Sequence, residues 1–575
     1  MSWNSLPAEL RAQIVGHFEL PRPELGSRLP SREYLNRRAT LWNLCLTCRS
    51  AAVEAQSWLY RTIILFLDFR KVKPSSLGCD QTTSPASSSI LFVLNGVTGK
   101  PSDNLVPLLR TLAHNPALRL HIKYLACALP ISGGILRARH ESPSDRELQR
   151  ATWTSWLSHN DGFSHLPEFA RRVLDIAELP APRPIMPHTR RLGLEGSDDI
   201  EDGIDTIAEK TLAALFCLLP EVDTLLIEGV DKWPCDVTPM ILEELLKDEA
   251  TASAVLPKLA TLQIQLHNVS RDSRNPERPM VSFDAIYALL NLPTLRHIET
   301  WHVDGFQSFF DVYSSRPDHN ESRTRVNLRQ WLPKIESLSL SSVNHHCSDF
   351  YAACRVATNL RRLALDAVGM HRGHSESHSP PHLEALSSAL LLRAETLEEL
   401  RLAGFERHAL KHLSWSYRLT CLPSMTKLRI LTLDVFMLFG PSGQIDRLWL
   451  PDLLPPNLER LDLCDRWSDA DADYGDFLRL HPELYVDALA RQLLDLAAAV
   501  QPRRREEQEK GRLSRLRAVH LRPGPRCARH RWLQALQLRH VEQAFDRAGV
   551  SFTYVLAKEE CHLVCPSLIE SAIDL

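Results

Sequence analysis

The segment Leu397-Glu398-Glu399-Leu400-Arg401-Leu402-Ala403 carries leucine at its first, fourth and sixth positions. Successive side chains of a β-strand point to opposite faces, so Leu400 and Leu402 share one face while Glu399 and Arg401 share the other. This alternation predicts a short strand with one buried face. The same spacing returns at intervals of roughly 25 to 40 residues, with a few longer gaps, which favours a repeat architecture. The copies lie at residues 118–125, 189–195, 222–228, 259–265, 295–301, 335–341, 360–366, 428–434, 458–464 and 516–522.

Helical patterns lie between the predicted strands. They cover residues 211–220, 283–290, 382–393 and 484–500. Several of the intervening segments end in a Leu-Pro pair, as at Pro220, Pro293 and Pro333, because proline cannot continue a helix. The chain therefore alternates strand, loop and helix.

This repeating unit resembles the leucine-rich repeat, and the resemblance covers residues 110–560. It implies an α/β fold in which a curved, irregular solenoid carries a parallel sheet on its concave face. The asparagine that usually follows the strand in that family is mostly absent here, and the repeat lengths vary. An ordinary α/β domain with a parallel sheet is the alternative.

Two helical segments stand ahead of the repeats. They are Leu6-Pro7-Ala8-Glu9-Leu10-Arg11-Ala12-Gln13-Ile14 and Leu41-Trp42-Asn43-Leu44-Cys45-Leu46-Thr47-Cys48-Arg49-Ser50. Pro7 suits the first turn of a helix, where its missing N–H costs nothing. Leu6, Leu10 and Ile14 recur every four residues and form an apolar stripe, which Phe18 extends. Such short amphipathic helices have little core of their own, so a partner surface is expected to cover them.

The same region resembles the F-box. The family's signature is matched by Leu6-Pro7-Ala8-Glu9-Leu10, by Cys48-Arg49 and by Leu59-Tyr60. The chain departs from the family in an insert at residues 19–40, which contains Pro21, Pro23 and Pro30. An insert of this kind with a Leu-Tyr-Arg-x-Ile ending is similar to the F-box proteins of filamentous fungi.

The F-box resemblance implies docking on the small adaptor protein of a cullin–RING (SCF-type) ubiquitin ligase. The chain would then be the substrate-recognition subunit, and its solenoid would hold an unknown target protein. A non-degradative interaction scaffold with a leucine-rich-repeat solenoid is the alternative function. The expected adaptor-binding residues are those that match the motif or its apolar faces: Leu6, Pro7, Leu10, Ile14, Leu44, Cys48 and Leu59.

The predicted domain limits follow composition. Residues 1–68 form the F-box-like helical domain, with the insert 19–40 as a loop. Residues 69–90 are rich in Ser, Thr and Pro and predict a flexible linker or loop. Residues 91–575 form the predicted solenoid.

Polar residues between the buried leucines predict a target-binding sheet face. Among them Trp301 is of the type that anchors protein interfaces. The expected contacts on this face are Glu228, Trp301, Arg362, Asp366, Arg401, Asp434, Arg460 and Asp462.

Bulk properties exclude several classes of protein. The net charge of −3, from 67 basic and 70 acidic residues, gives no indication of a nucleic-acid partner. No apolar run reaches the ~18 residues of a membrane span. The 13 cysteines are odd in number and scattered, which favours a reducing compartment, the cytoplasm and/or the nucleus.

Candidate chemical motifs fail on spacing. The histidines of residues 371–382 match no zinc pattern, and the acidic run 469–476 lacks the glutamate that closes a calcium loop. Cys45 and Cys48 have metal or redox spacing but lie on the apolar side of a predicted helix. Gly96 to Lys100 lacks the first glycine and the Ser or Thr of a phosphate loop. We therefore expect no catalytic site, no bound metal and no cofactor.

Overall fold

A computed structural model gives the fold. It describes residues 3–22, 32–66, 108–109, 111–128, 214–228, 255–265, 287–290, 292–301, 332–341, 354–366, 383–403, 418–439, 448–465, 482–501, 513–523 and 531–554. The predicted linker 69–90, the histidine-rich segment 371–382, the acidic run 469–476 and the predicted strand 189–195 lie outside these ranges.

The chain divides into two compact units. The N-terminal unit comprises Met1–Gly305 with Glu321–Val326, and the C-terminal unit comprises Phe306–Asn320 with Asn327–Leu575. This division falls far from the predicted domain limits at residues 68 and 90, which therefore stay predictions.

The N-terminal unit begins with helices and continues with strands. Its α-helices are α1 (Ala8–Gly16), α2 (Arg32–Thr47), α3 (Arg49–Leu59), α4 (Pro116–Arg119) and α5 (Tyr287–Leu290), and a 3-10 turn covers Trp3–Ser5. Its strands are β1 (Thr62–Phe66), β2 (Tyr124–Ala128), β3 (Thr224–Glu228), β4 (Thr261–Gln265) and β5 (His297–Trp301).

The C-terminal unit alternates strands and helices. Its strands are β6 (Ser337–Ser341), β7 (Arg362–Asp366), β8 (Glu399–Ala403), β9 (Ile430–Asp434), β10 (Arg460–Asp465), β11 (Ala518–Pro523) and β12 (Ser551–Tyr554). Its α-helices are α6 (Leu383–Leu391), α7 (Val435–Phe439), α8 (Leu450–Leu453), α9 (Pro482–Val500) and α10 (Arg531–Ala548), and 3-10 turns cover Leu332–Lys334 and Leu422–Ser424.

Within each unit the strands lie side by side in chain order and pair in parallel. The pairing aligns equivalent leucines, so that Leu363 lies beside Leu400 and Leu400 beside Leu431. All three are buried. The predicted α/β class with a parallel sheet is therefore confirmed. Strand β12 was not predicted, although Phe552 between Ser551 and Thr553 carries the alternation of a strand.

The residue ahead of each strand links it to the next strand. The carbonyl oxygen of Glu398 accepts hydrogen bonds from the backbone N–H groups of Arg429 (2.8 Å) and Ile430 (3.1 Å). The carbonyl of Arg429 does the same for Glu459 (2.8 Å) and Arg460 (3.0 Å). Repetition of this pattern between neighbouring strands of each unit fixes the level at which they start, and at β12 a single hydrogen bond from the N–H of Ser551 to the carbonyl of Arg517 takes its place.

The N-terminal helices match the predicted elements in part. The predicted helical segment 41–50 is divided at Cys48, whose extended backbone separates α2 from α3. Pro7 is the N-cap residue of α1, one position ahead of the first turn in which it was predicted. Helix α2 begins at Arg32, so the assignment of a loop to all of residues 19–40 is wrong for residues 32–40. The helix forms there because Tyr34 and Leu41 both reach the core while Glu33 and Arg37 form an ion pair of 2.5 Å on its outer side.

The helices pack on the first strands of their own unit. A core cluster joins Val15, Leu20, Tyr34, Leu41, Ala55 and Leu59 of the helical segment with Ile64, Tyr124, Ala126 and Leu226 of the sheet. The hydroxyl of Tyr34 donates a hydrogen bond to the carbonyl of Thr62 (3.1 Å), and Arg38 donates one to the carbonyl of Leu59 (3.3 Å). One face of the helices is thus anchored by burial and by hydrogen bonds.

Two leucines of α2 test this anchoring. Leu41 is 0% exposed and Leu46 is 70% exposed. Leu41→Ala should lower the free energy of unfolding by about 2–5 kcal/mol, because it opens a cavity in the core. Leu46→Ala should change that free energy by about 0.5 kcal/mol or less. Urea unfolding of the full chain measures both, and equal losses would contradict the packing described here.

Candidate functional site

A group of large apolar side chains is exposed on the N-terminal helices. We call it the helical patch: Leu10 and Ile14 of α1, Trp42 and Leu46 of α2, and Val53 of α3. The exposed fractions are 46%, 38%, 44%, 70% and 67% in that order. Several exposed large apolar side chains on a set of short helices indicate an interaction surface more often than apolar side chains that are scattered singly.

Helix geometry groups four of these residues into two pairs. Leu10 and Ile14 are four residues apart on α1, and Trp42 and Leu46 are four apart on α2, so each pair lies on one side of its helix. An ion pair of 2.9 Å between Arg11 and Glu54 joins α1 to α3. This contact shows that α1 and α3, which carry Leu10 and Val53, pack side by side.

The residues expected to bind the ligase adaptor occupy different environments. Pro7, Leu10 and Ile14 are exposed, whereas Leu6 and Cys48 are half-buried. Leu44 is partly buried and packs on the core cluster, and Leu59 is 3% exposed within that cluster. Leu59 therefore supports the helices from inside the unit.

Sequence reasoning missed three residues of the helical patch. Trp42 and Leu46 form a second apolar row on α2, beside the row that contains Leu41 and Cys45. Val53 occupies a position on α3 that no pattern singled out. The signal for Trp42 and Leu46 is that α2 carries apolar residues on two of its sides, whereas a helix with a single buried face carries them on one side.

The sheet of the N-terminal unit changes character along its strands. The third positions of β1, β2 and β3 are Ile64, Ala126 and Leu226, which the N-terminal helices cover. The third positions of β4 and β5 are Gln263 and Glu299. Thus the face expected to be free for a target is occupied by the chain's own helices at its first strands.

A row of hydrogen-bonded polar side chains lies where the N-terminal helices cease to cover the sheet. The hydroxyl of Tyr124 donates a hydrogen bond to Oε1 of Gln263 (3.0 Å), and Nε2 of Gln263 donates one to Oε2 of Glu299 (2.7 Å). Trp301, at the fifth position of β5, is half-buried beside the register partner Gln265. Glu228 takes the fifth position of β3, and its side chain lies outside the described set.

In the C-terminal unit the structure brings two predicted residues together around one carboxylate. Arg460 donates two hydrogen bonds to Asp462, from Nε to Oδ1 and from Nη2 to Oδ2, each 2.9 Å long. Thr432 Oγ1 lies 3.3 Å from Oδ2, and His520 Nε2 lies 3.9 Å from Oδ1. These residues, with Asp462 itself 4% exposed, form what we call the Asp462 cluster.

The other predicted residues of this face are spread over its strands. Arg362 begins β7 and is exposed, and Arg401 is half-buried at the third position of β8. Asp434 is 1% exposed, so its carboxylate is not at the surface. Asp366 ends β7, and its side chain lies outside the described set.

His520 titrates under opposing influences. Burial lowers the pKa of its imidazole, and the neighbouring carboxylate of Asp462 acts in the opposite direction by favouring the charged form. The guanidinium groups of Arg460 and Arg522 lower this pKa further. His520 also contacts the hydroxyl of Thr553 through Nδ1.

Three further features of the described residues concern metals, membranes and thiols. Among the described residues, no group of three or more His, Cys, Asp or Glu side chains is arranged to hold a metal ion. None of the helices in the described part of the chain is long and apolar enough to cross a membrane. Burial raises the pKa of the thiols of Cys127, Cys217 and Cys354 to about 12, which keeps these thiols protonated.

Comparison with known proteins gives no identification. Neither a protein-family model nor a curated protein matches the chain.

The His520 environment yields a titration test. Asp462→Asn should lower the pKa of His520, because the attractive negative charge is removed, whereas Arg460→Gln should raise it. NMR titration measures both shifts, with His520→Gln assigning the resonance. Arg429→Gln, which removes a charge that does not act on His520, is the control. Shifts of the same sign in Asp462→Asn and Arg460→Gln would contradict the geometry of the Asp462 cluster.

Proposed function

We propose that the chain is the substrate-recognition subunit of an SCF-type cullin–RING ubiquitin ligase. Its N-terminal helices act as an F-box that binds the ligase adaptor protein. Its repeats form a leucine-rich-repeat solenoid that binds a target protein. Ubiquitin transfer is carried out by other subunits, and this chain contributes proximity.

The helical patch is the single observation that carries the proposal. Helices with one anchored face and one exposed apolar face suit a protein that is completed by a partner. Leu10 and Ile14 of the patch lie in the segment that resembles the F-box opening, and both were expected to contact the adaptor. Burial of these side chains by a partner would contribute about 25 cal/mol per Å² of apolar surface before the costs of association.

The parallel strands support the second half of the proposal. Most strands have apolar second and fourth positions that are buried, as in Leu461 and Leu463 of β10. Exceptions are Thr300 of β5 and the half-buried Tyr554 of β12. Beyond the strands β1–β3, which the N-terminal helices cover, repeated units of this type leave odd positions of the sheet available for contacts. A soluble protein target in the cytoplasm and/or the nucleus is the expected partner, with no role for nucleic acid or membrane.

Adaptor capture tests the proposal directly. Leu10→Asp and Trp42→Asp should each weaken co-precipitation of the full chain with the ligase adaptor by about tenfold or more, because each places a charge in an apolar interface. Both side chains are exposed, so the fold should be retained. Leu120→Asp is the matched control, since Leu120 is 55% exposed but lies outside the N-terminal helices.

The outcomes separate the candidate functions. Equal capture of the wild type, Leu10→Asp and Trp42→Asp would contradict adaptor docking through the helical patch. Capture without any effect of the chain on the lifetime of the bound target would favour the non-degradative scaffold.

A further inference from the structure

Arg460 is held rigidly on the sheet face of the C-terminal unit. Its Nε and Nη2 atoms both bond to Asp462 at 2.9 Å, and Asp462 is itself fixed by the hydroxyl of Thr432 at 3.3 Å. The carboxylate of Asp462 is almost completely buried, so the two-point contact is shielded from water. The guanidinium group therefore has one defined orientation.

The remaining edge of this guanidinium has no hydrogen-bond partner among the described residues. The side chain of Arg460 is 43% exposed, compared with 5% for that of Asp462. A guanidinium carries five N–H donors in a planar fork, and Nη1 of Arg460 makes no hydrogen bond to any residue in the described part of the chain. A fixed arginine with free donors loses little conformational entropy when it binds an anion.

Burial separates the charges of this face by sign. Among the described side chains at odd strand positions of β7–β11, the acidic groups of Asp434 and Asp462 are buried. The basic groups are half-buried or exposed, at Arg362, Arg401, Arg460 and Arg522, and Glu399 is the half-buried acidic exception. Of the described charged side chains, those that a partner meets on this face are therefore mainly guanidinium groups.

We propose that this face binds a segment of the target protein that is rich in Asp and Glu, with Arg460 as the central contact. The inference deepens the proposed function and rests on the sheet being the target-binding surface. Carboxylates fit the planar donors of a guanidinium in two-point geometry. Glu399, which lies close enough to favour the charged form of Arg460, opposes the incoming charge.

Peptide binding to the full-length chain tests the inference. The probe is a short fluorescent peptide in which Glu alternates with Ala, and the measurement is fluorescence anisotropy at low and high salt. The Glu peptide should bind, and its affinity should fall as salt is added. At low salt its affinity should be higher than that of a Gln–Ala peptide of equal length. Binding of a phosphoserine–Ala peptide in place of the Glu peptide, or equal binding of the Glu and Gln peptides, would overturn the assignment.

Matched arginine variants locate the contact. Arg460→Gln should weaken binding of the Glu peptide by about tenfold, the effect of losing charge-assisted hydrogen bonds. Arg429→Gln removes the same charge from an arginine paired in the same two-point manner with Glu459, at 2.8 and 2.9 Å, ahead of β9. Equal weakening in both variants would mean a general effect of charge and would overturn the role of Arg460.

A second set of variants guards against a folding defect. Arg460→Gln leaves Asp462 buried without its main partner, so the double change Arg460→Gln with Asp462→Asn removes both charges together. The double variant should also lose binding, whereas Glu399→Gln should strengthen it. Thermal unfolding shows whether each variant retains the fold, and unchanged affinity in all three folded variants would overturn the proposal.

Adaptor capture of the same proteins separates this inference from the proposed function. Arg460→Gln should be captured by the ligase adaptor as well as the wild type. If the adaptor captures neither, while Glu-peptide binding still depends on Arg460, the ligase function fails and the Arg460 contact stands. If the adaptor captures both and no peptide binds, the Arg460 contact fails alone.

Discussion

In-register parallel pairing is the constraint on which the rest of the structure depends. Each strand is too short to bury its own leucines, so the rows formed by residues such as Leu363, Leu400 and Leu431 exist only because neighbouring strands start at the same level. The doubly accepting carbonyls ahead of the strands set that level. A shift of one residue would turn every buried leucine to the opposite face. Register therefore determines both the core and the polar face at once.

The same register explains how the N-terminal helices are held. Ile64, Ala126 and Leu226 occupy equivalent positions on adjacent strands. Together they form an apolar surface in the same core cluster as Leu41 and Leu59. On β4 and β5 the equivalent positions are Gln263 and Glu299, so the apolar surface ends there. The helices thus bury one side against the sheet, and the apolar residues on their other side stay exposed because they do not reach that contact.

Burial of acidic groups shapes the face of the C-terminal unit. Asp462 would be costly to bury alone, but two hydrogen bonds from Arg460 and one from Thr432 offset the loss of hydration. The consequence is that a carboxylate is withdrawn from the surface while a guanidinium remains partly exposed. A sequence of mixed charge can therefore present a face on which one sign dominates.

The sequence by itself determined the α/β class, the parallel strands and the positions of helices α6 and α9, because leucine spacing and proline stops are local signals, whereas helix α10 was not predicted. It also identified Arg460 and Asp462 as residues of one sheet face. Tertiary structure alone decided that Leu59 is buried, that Trp42 and Leu46 are exposed, that residues 32–40 are helical, and that Asp434 is withdrawn from solvent. These outcomes depend on which neighbour covers a side chain, and residues distant in the sequence supply that neighbour.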